Sequence, residues 1–178
     1  MSVQEEEVVD MFLEPADVIC LTTNGSLRRD GGAVMGRGNA LQAKRLWYGL
    51  DQLLGKLIKK HGNCVQVLTR ETSAGVKYLR LPRANGDPLF CPVPWHLVAF
   101  PVKDQWHEKA DLDLIGASAK ALRKMIKANN WKRVLLPKPG CGNGQLTWKK
   151  VKPVLNRSFA NNKSLLVVYT AASVTEEK

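Results

Sequence analysis

The sequence predicts an α/β domain, and three observations carry that class. An apolar run, a glycine-rich loop and an amphipathic segment follow one another twice. A long helical periodicity lies between the two units, and no repeat, linker or low-complexity block divides the chain. In the later unit Val134-Leu135-Leu136 leads into Pro137-Lys-Pro-Gly-Cys-Gly-Asn-Gly-Gln-Leu-Thr-Trp148, with Gly140, Gly142 and Gly144 close together. Such glycines let the backbone reach positive φ and bring main-chain N–H groups near a ligand, as a phosphate-cradling loop requires. The earlier unit sets Val18-Ile19-Cys20-Leu21 before the glycine-rich residues 30–40 and a helical stretch starting near Asn39. Ligands of open α/β sheets gather beyond the carboxyl ends of the strands, so two such loops suit a diphosphate.

Taken in order, residues 1–15 are acidic with apolar Val8, Val9, Met11, Phe12 and Leu13, and read as an edge strand or N-terminal arm with no assigned function. Residues 16–23 read as a buried strand. Leu46, Leu50, Leu53, Leu54, Leu57 and Ile58 give helical spacing over 41–61, closed by Gly62. Residues 64–68 and 76–81 read as two strands joined by a hairpin through Ser73-Ala74-Gly75, and the Pro- and Gly-rich residues 82–94 as a surface excursion. Residues 95–102 form another strand, ending at Lys103. Over 111–129 apolar residues recur at Leu112, Ile115, Ala119, Leu122 and Ile126, an amphipathic helix whose start carries Asp111 and Asp113, favourable at the positive end of the helix dipole. A strand at 133–136, a helix at 149–159 despite Pro153, a strand at 165–170 and a polar tail at 171–178 complete the chain.

At 178 residues the chain suits one compact domain that needs no disulfide or metal. No apolar run approaches the roughly 20 residues of a membrane span, and Glu5-Glu6-Glu7 stands where a signal peptide would be basic, so a soluble, cytoplasmic protein is expected. Cys20, Cys64, Cys91 and Cys141 include no CxxC pair; reduced thiols and no metal are expected, with Cys20 and Cys64 as small apolar residues within strands. The formal net charge of +11 attracts polyanions and makes nucleic acid a candidate partner, although the basic residues are spread over helices and are equally read as solvated faces.

The segment Ala16-Asp-Val-Ile-Cys-Leu-Thr-Thr-Asn24, the Gly-Gly-Ala-Val-Met loop and the later Pro-Gly-Cys-Gly before a helix resemble the macrodomain family of ADP-ribose binders. With Asn39-Ala-Leu-Gln-Ala-Lys44 and Phe100-Pro-Val-Lys103, the chain is most similar to two groups, the macrodomain antitoxins that strip ADP-ribose from DNA and the terminal ADP-ribose protein glycohydrolases. The resemblance spans residues 16–170 and implies a three-layer α/β/α domain on a mixed, mostly parallel twisted sheet. It also implies that Asp17 accepts a hydrogen bond from the adenine amine, with Val18 and Ile19 beside the adenine. Asn24 faces the distal ribose, Gly31, Gly32, Ala33, Val34, Met35, Gly36 and Gly38 wrap the diphosphate and that ribose, and Pro139, Gly140, Cys141, Gly142, Asn143, Gly144, Gln145 and Leu146 supply the other phosphate side. Lys103 is implied as the catalytic group, its amine attacking the anomeric carbon of the ribose.

Other readings stand beside these. Asp17 equally suits a cap before a strand, Asn24 and the glycines suit turns, Lys103 a solvated strand end, and Cys141 packing behind its loop. His96 and His107 suit core or surface roles better than acid–base work, and Trp106 either packs or stacks on a base or on adenine. Leu21 departs from the family's first asparagine, and Gly144 from the aspartate of the protein glycohydrolases, as in the DNA-directed group; Asp30 and Asp104 are stand-ins for an assisting carboxylate. The expected function is hydrolytic release of ADP-ribose from a modified macromolecule, nucleic acid before protein, by a monomer without a cofactor. The alternatives are a phosphatase acting on ADP-ribose 1″-phosphate and a non-catalytic ADP-ribose reader.

Overall fold

The computed structural model describes residues 2–68, 70–71, 77–78 and 96–171. Cys91, the turn expected at Ser73-Ala74-Gly75, the excursion expected at 82–94 and the tail from 172 lie outside the described residues. In chain order the elements are β1 (Gln4–Glu7), β2 (Val18–Asn24), α1 (Gly38–Leu46), α2 (Leu50–His61), β3 (Gln66–Val67), β4 (Arg70–Glu71), β5 (Lys77–Tyr78), β6 (His96–Lys103), α3 (Leu112–Asn129), β7 (Val134–Pro137), α4 (Trp148–Phe159) and β8 (Leu165–Tyr169).

Six strands form one sheet in the order β1-β8-β7-β2-β6-β3. Every neighbouring pair is parallel except β3 with β6. The β4–β5 pair is a separate antiparallel ladder.

Side chains alternate across the pleat. Val18, Cys20, Val98, Phe100, Val134 and Leu136 face α3 and α4, while Ile19, Leu21, Leu97, Ala99 and Leu135 face α1 and α2. Both faces are thus covered, which is why the central strands read as unbroken apolar runs. Burial of Cys20 among them pushes its thiol pKa far up, so it behaves as one more apolar side chain. Cys64 instead is exposed ahead of β3, because the strand expected at 64–68 begins only at Gln66.

The helix expected over 41–61 is two helices. Its apolar spacing continues through Trp47, which is buried against Phe12 with ring centroids 5.6 Å apart, but Gly49 at φ 80° turns the chain and starts α2. The long helix α3 is as expected, with Asp111 as its N-cap accepting a hydrogen bond from the Asp113 N–H.

Candidate functional site

Strands β2 and β7 pair only at Val18↔Val134 and Ile19↔Leu135 and then part. The opening continues into a cleft of about 1260 Å3 over the carboxyl ends of the parallel strands. Beyond the split, Asn39 in the first turn of α1 takes over the β2 backbone: its Nδ2 donates to Cys20 O at 2.9 Å and its Oδ1 accepts from Thr22 N at 3.2 Å. Gly38, Asn39 and Ala40 thereby turn the start of α1 into the cleft wall, where first-turn N–H groups and the helix dipole favour an anion.

The first loop is latched by Asn24, whose Oδ1 accepts from Ser26 N at 3.0 Å and whose Nδ2 donates to Val34 O at 3.0 Å. A register shift between Thr23 and Asn24 sets this residue beside Lys103 of β6. Behind the loop, Arg28 pairs with Asp30 at 2.9 Å and with Asp51 at 2.8 Å, and Lys44 reaches Asp51 at 3.2 Å. Burial would raise the Asp51 pKa, but the bonds from Arg28 and Lys44 outweigh it and hold the carboxyl below its usual range.

In the second loop Leu146 N donates to Gly140 O at 2.9 Å and Ala110 N to Gly144 O at 2.9 Å, tying the loop to the segment before α3. Gly140 lies at φ 76°. A Cβ on Gly144 would meet Gly140 O at 2.5 Å and Ala110 Cβ at 2.7 Å, so the backbone packing itself excludes an aspartate there.

Lys103 ends β6 between the two loops, its Nζ donating to Glu108 O at 3.0 Å and to Asn143 O at 3.3 Å. Burial, then the Arg37 cation, lower its pKa against the opposing pull of Glu108. Arg37, Arg45, Lys103 and Lys138 line the cleft, whereas Asp10 is the lone carboxylate among the described lining residues. Such a wall favours an anionic ligand.

Of the residues singled out in the sequence, the cleft brings together Asn24, Val34, Met35, Gly36, Gly38, Lys103, Gly140, Cys141, Gly142, Asn143, Gly144 and Gln145. It does not include Asp17, Val18 or Ile19. Asp17 precedes β2 at the opposite end of the strand, where its carboxylate accepts from Lys132 N and from Arg133 N at 3.0 Å, the capping alternative; Val18 and Ile19 are buried between the layers. Gly31, Gly32 and Ala33 stand behind the loop against α2, and Pro139 and Leu146 behind the second loop, away from the lining. Asp30 is engaged with Arg28 and Gln52, and Asp104 with Asn63, so neither faces the cleft. His96 is half-buried, 5.7 Å from the Trp131 ring, with its pKa lowered by desolvation against the pull of Asp17.

Sequence reasoning missed residues 8–12, which line the cleft at the end of β1. Asp10, whose Oδ1 accepts from Phe12 N at 2.9 Å, follows the apolar pair Val8-Val9 at a strand end, a signal masked by the acidic run before it. Trp106 and His107, singled out in the sequence for stacking and for acid–base work against plainer packing or surface roles, also line the cleft, directly after the Lys103 strand end.

This architecture is the macrodomain fold. The macrodomain of Mycobacterium tuberculosis DarG superposes with a TM-score of 0.69 at 24% identity, covering 94% of this chain and 96% of that one. Thermosipho africanus DarTG in complex with ADP-ribose gives 0.69 at 21% identity over 90% of this chain and 39% of that one, and the macrodomain of Thermus aquaticus DarG gives 0.67 at 23% over 94% and 96%. In sequence the chain is similar to the DNA ADP-ribosyl glycohydrolases of Mycobacterium tuberculosis (strain ATCC 25618 / H37Rv) and Mycobacterium bovis (strain BCG / Pasteur 1173P2), each 29% identical over 127 residues. That match takes in 71% of this chain but 32% of those relatives, so the chain spans about a third of their length. No protein-family model matches the chain.

Proposed function

We propose that this protein binds ADP-ribose in the cleft and releases it from a modified nucleic acid, with Lys103 as the catalytic residue. The observation that carries this reading is the separation of charge along the cleft: Asp10 at the β1 end, Lys103 at the β6 end, and cations with two glycine loops between. The strand order sets β1 four spacings from β6, about 19 Å at ~4.8 Å each, a span suited to an extended nucleotide diphosphate sugar. In that pose Asp10, rather than Asp17, accepts from the adenine amine. The diphosphate lies over the gap between β7 and β2, against the start of α1 and the 140–145 backbone, and the distal ribose meets Lys103.

Burial and the Arg37 cation shift the Lys103 pKa downward, the direction that favours a neutral amine for attack on C1″ of that ribose. The bond from C1″ to the target breaks with its electron pair leaving on the target atom, which takes a proton; water then displaces the lysine and leaves a hydroxyl on C1″. The name carried by the curated relatives, DNA ADP-ribosyl glycohydrolase, and the net charge of +11 support nucleic acid over protein as the target. The reading includes a monomer acting in the cytoplasm.

The test is release of ADP-ribose from ADP-ribosylated DNA and ADP-ribosylated protein side by side, wild type against Lys103→Ala. Release from DNA by wild type alone supports the proposal. Release by both proteins removes Lys103 from the chemistry, and phosphate release from ADP-ribose 1″-phosphate without release from either polymer turns the reading to the phosphatase.

A further inference from the structure

We infer that Trp106 is the platform on which the target nucleobase stacks, so that this ring selects nucleic acid as the bearer of the ADP-ribose. The inference rests on the binding pose above. Trp106 is 58% exposed, an open position for a large apolar ring, and it lines the cleft three residues after Lys103.

The turn that carries it is held by hydrogen bonds. Trp106 N donates to Ser26 Oγ at 3.0 Å, Ser26 Oγ in turn donates to Gln105 Oε1 at 3.0 Å, and Gln105 N donates to Glu108 Oε2 at 3.0 Å. The same turn presents Glu108 O to Lys103 Nζ, so the backbone of Trp106 and the amine are tied to one short segment. His107 meets the indole edge to face at 5.5 Å, which leaves a face of the indole for another flat partner.

With the distal ribose at Lys103, the group attached to C1″ must leave the cleft past this turn. What it meets there is an aromatic face with Arg37 and Lys103 nearby, the lone lining carboxylate among the described residues, Asp10, belonging to the β1 end, a combination that suits a base on a phosphodiester backbone better than an acidic or aliphatic side chain.

The experiment compares binding in the Lys103→Ala background, where turnover does not interfere. The probes are free ADP-ribose, a single-stranded oligonucleotide carrying one ADP-ribosylated base, and a peptide carrying ADP-ribose on a glutamate, all at one salt concentration. Stacking on one ring corresponds to about five- to 150-fold in affinity. The modified oligonucleotide is therefore expected to bind at least tenfold more tightly than free ADP-ribose, to lose most of that gain in Trp106→Ala and to keep most of it in Trp106→Phe. It should also quench indole emission in the parent but not in the phenylalanine variant.

An equal loss for free ADP-ribose in Trp106→Ala assigns the ring to the nucleotide itself and overturns the inference. So does a gain over ADP-ribose that is absent for the oligonucleotide or equal for the peptide. Absence of ADP-ribose release by the wild type overturns the hydrolase reading instead, and release that survives Lys103→Ala removes Lys103 from the chemistry, while the affinity difference between Trp106 variants is read independently of both.

Discussion

A Cβ on Gly55 would stand 2.1 Å from the carbonyl oxygen of Gly31 and 2.9 Å from the Ala33 nitrogen, so α2 and the first glycine loop meet with no spare volume. The loop's shape is therefore set by the helix behind it. Gly55→Ala is expected to push the loop outward, costing about 1–3 kcal/mol of stability and lowering ADP-ribose affinity, as thermal melts and calorimetry would record. Unchanged affinity would mean the loop shape does not matter to the ligand.

The second loop offers a paired test. Gly144→Ala should lower stability by about 1–3 kcal/mol through contact with Gly140 O, while Gly142→Ala, with nothing within 4 Å of the added atom, should stay within about 0.5 kcal/mol. Denaturant titrations of both variants decide it, and equal losses would refute the packing account.

Asp17 and Asp10 separate structure from binding. Asp17→Ala strands two N–H groups of residues 132 and 133 and should cost about 1–3 kcal/mol of stability with ADP-ribose affinity unchanged. Asp10→Asn should do the reverse, weakening ADP-ribose roughly tenfold, the effect of about one charged hydrogen bond, with little change in melting temperature. Calorimetry on both variants checks the exchange of roles.

Arg37 lowers the Lys103 pKa from close by, its Nη1 also reaching Asn143 Oδ1 at 3.5 Å. If the neutral amine is the reacting form, release should rise with pH to a midpoint below 10.5, the ordinary lysine value. Arg37→Gln removes a neighbouring cation, so the midpoint should move upward. A pH–rate profile that stays in place would detach Lys103 ionisation from the rate.

Because the folded Asp51 pKa lies below its usual 3.8, its contribution to stability is fully present above the unfolded value and is lost as pH falls through the lowered folded one. At neutral pH Asp51→Asn should be less stable than wild type by about 1 kcal/mol, given that Arg28 and Lys44 are a third or more exposed. Melts below about pH 4 should show the two proteins converging.

The sequence made the central strands, the helix α3 and both glycine loops legible because each rests on a local pattern: apolar runs buried on two faces, a 3.6-residue period, glycines in number. The break between α1 and α2 was hidden, since Leu46 and Trp47 keep the apolar spacing and a single backbone angle at Gly49 makes the turn. The acid in the cleft lining was hidden for a related reason. Asp17 and Asp10 are both acids beside short apolar stretches, and nothing local tells which of them reaches the cleft; that depends on β1 pairing in parallel with β8, far away in the chain. The exposure of Trp106 was likewise set by the Ser26 and Glu108 bonds that hold its turn, not by its neighbours in sequence.

The pairing of β1 with β8 joins Gln4 to Leu166 and Glu7 to Tyr169. A chain emerging from the ribosome makes its first strand long before the partner of that strand exists, and such distant contacts slow folding through the cost of closing a long loop. Residues 8–12, which follow β1 into the cleft wall, are held there by this late contact. Ligand capture would then begin only after the eighth strand has emerged, so binding activity reports completion of the sheet and shortening the chain before residue 165 would abolish it without touching a cleft residue on the first loop.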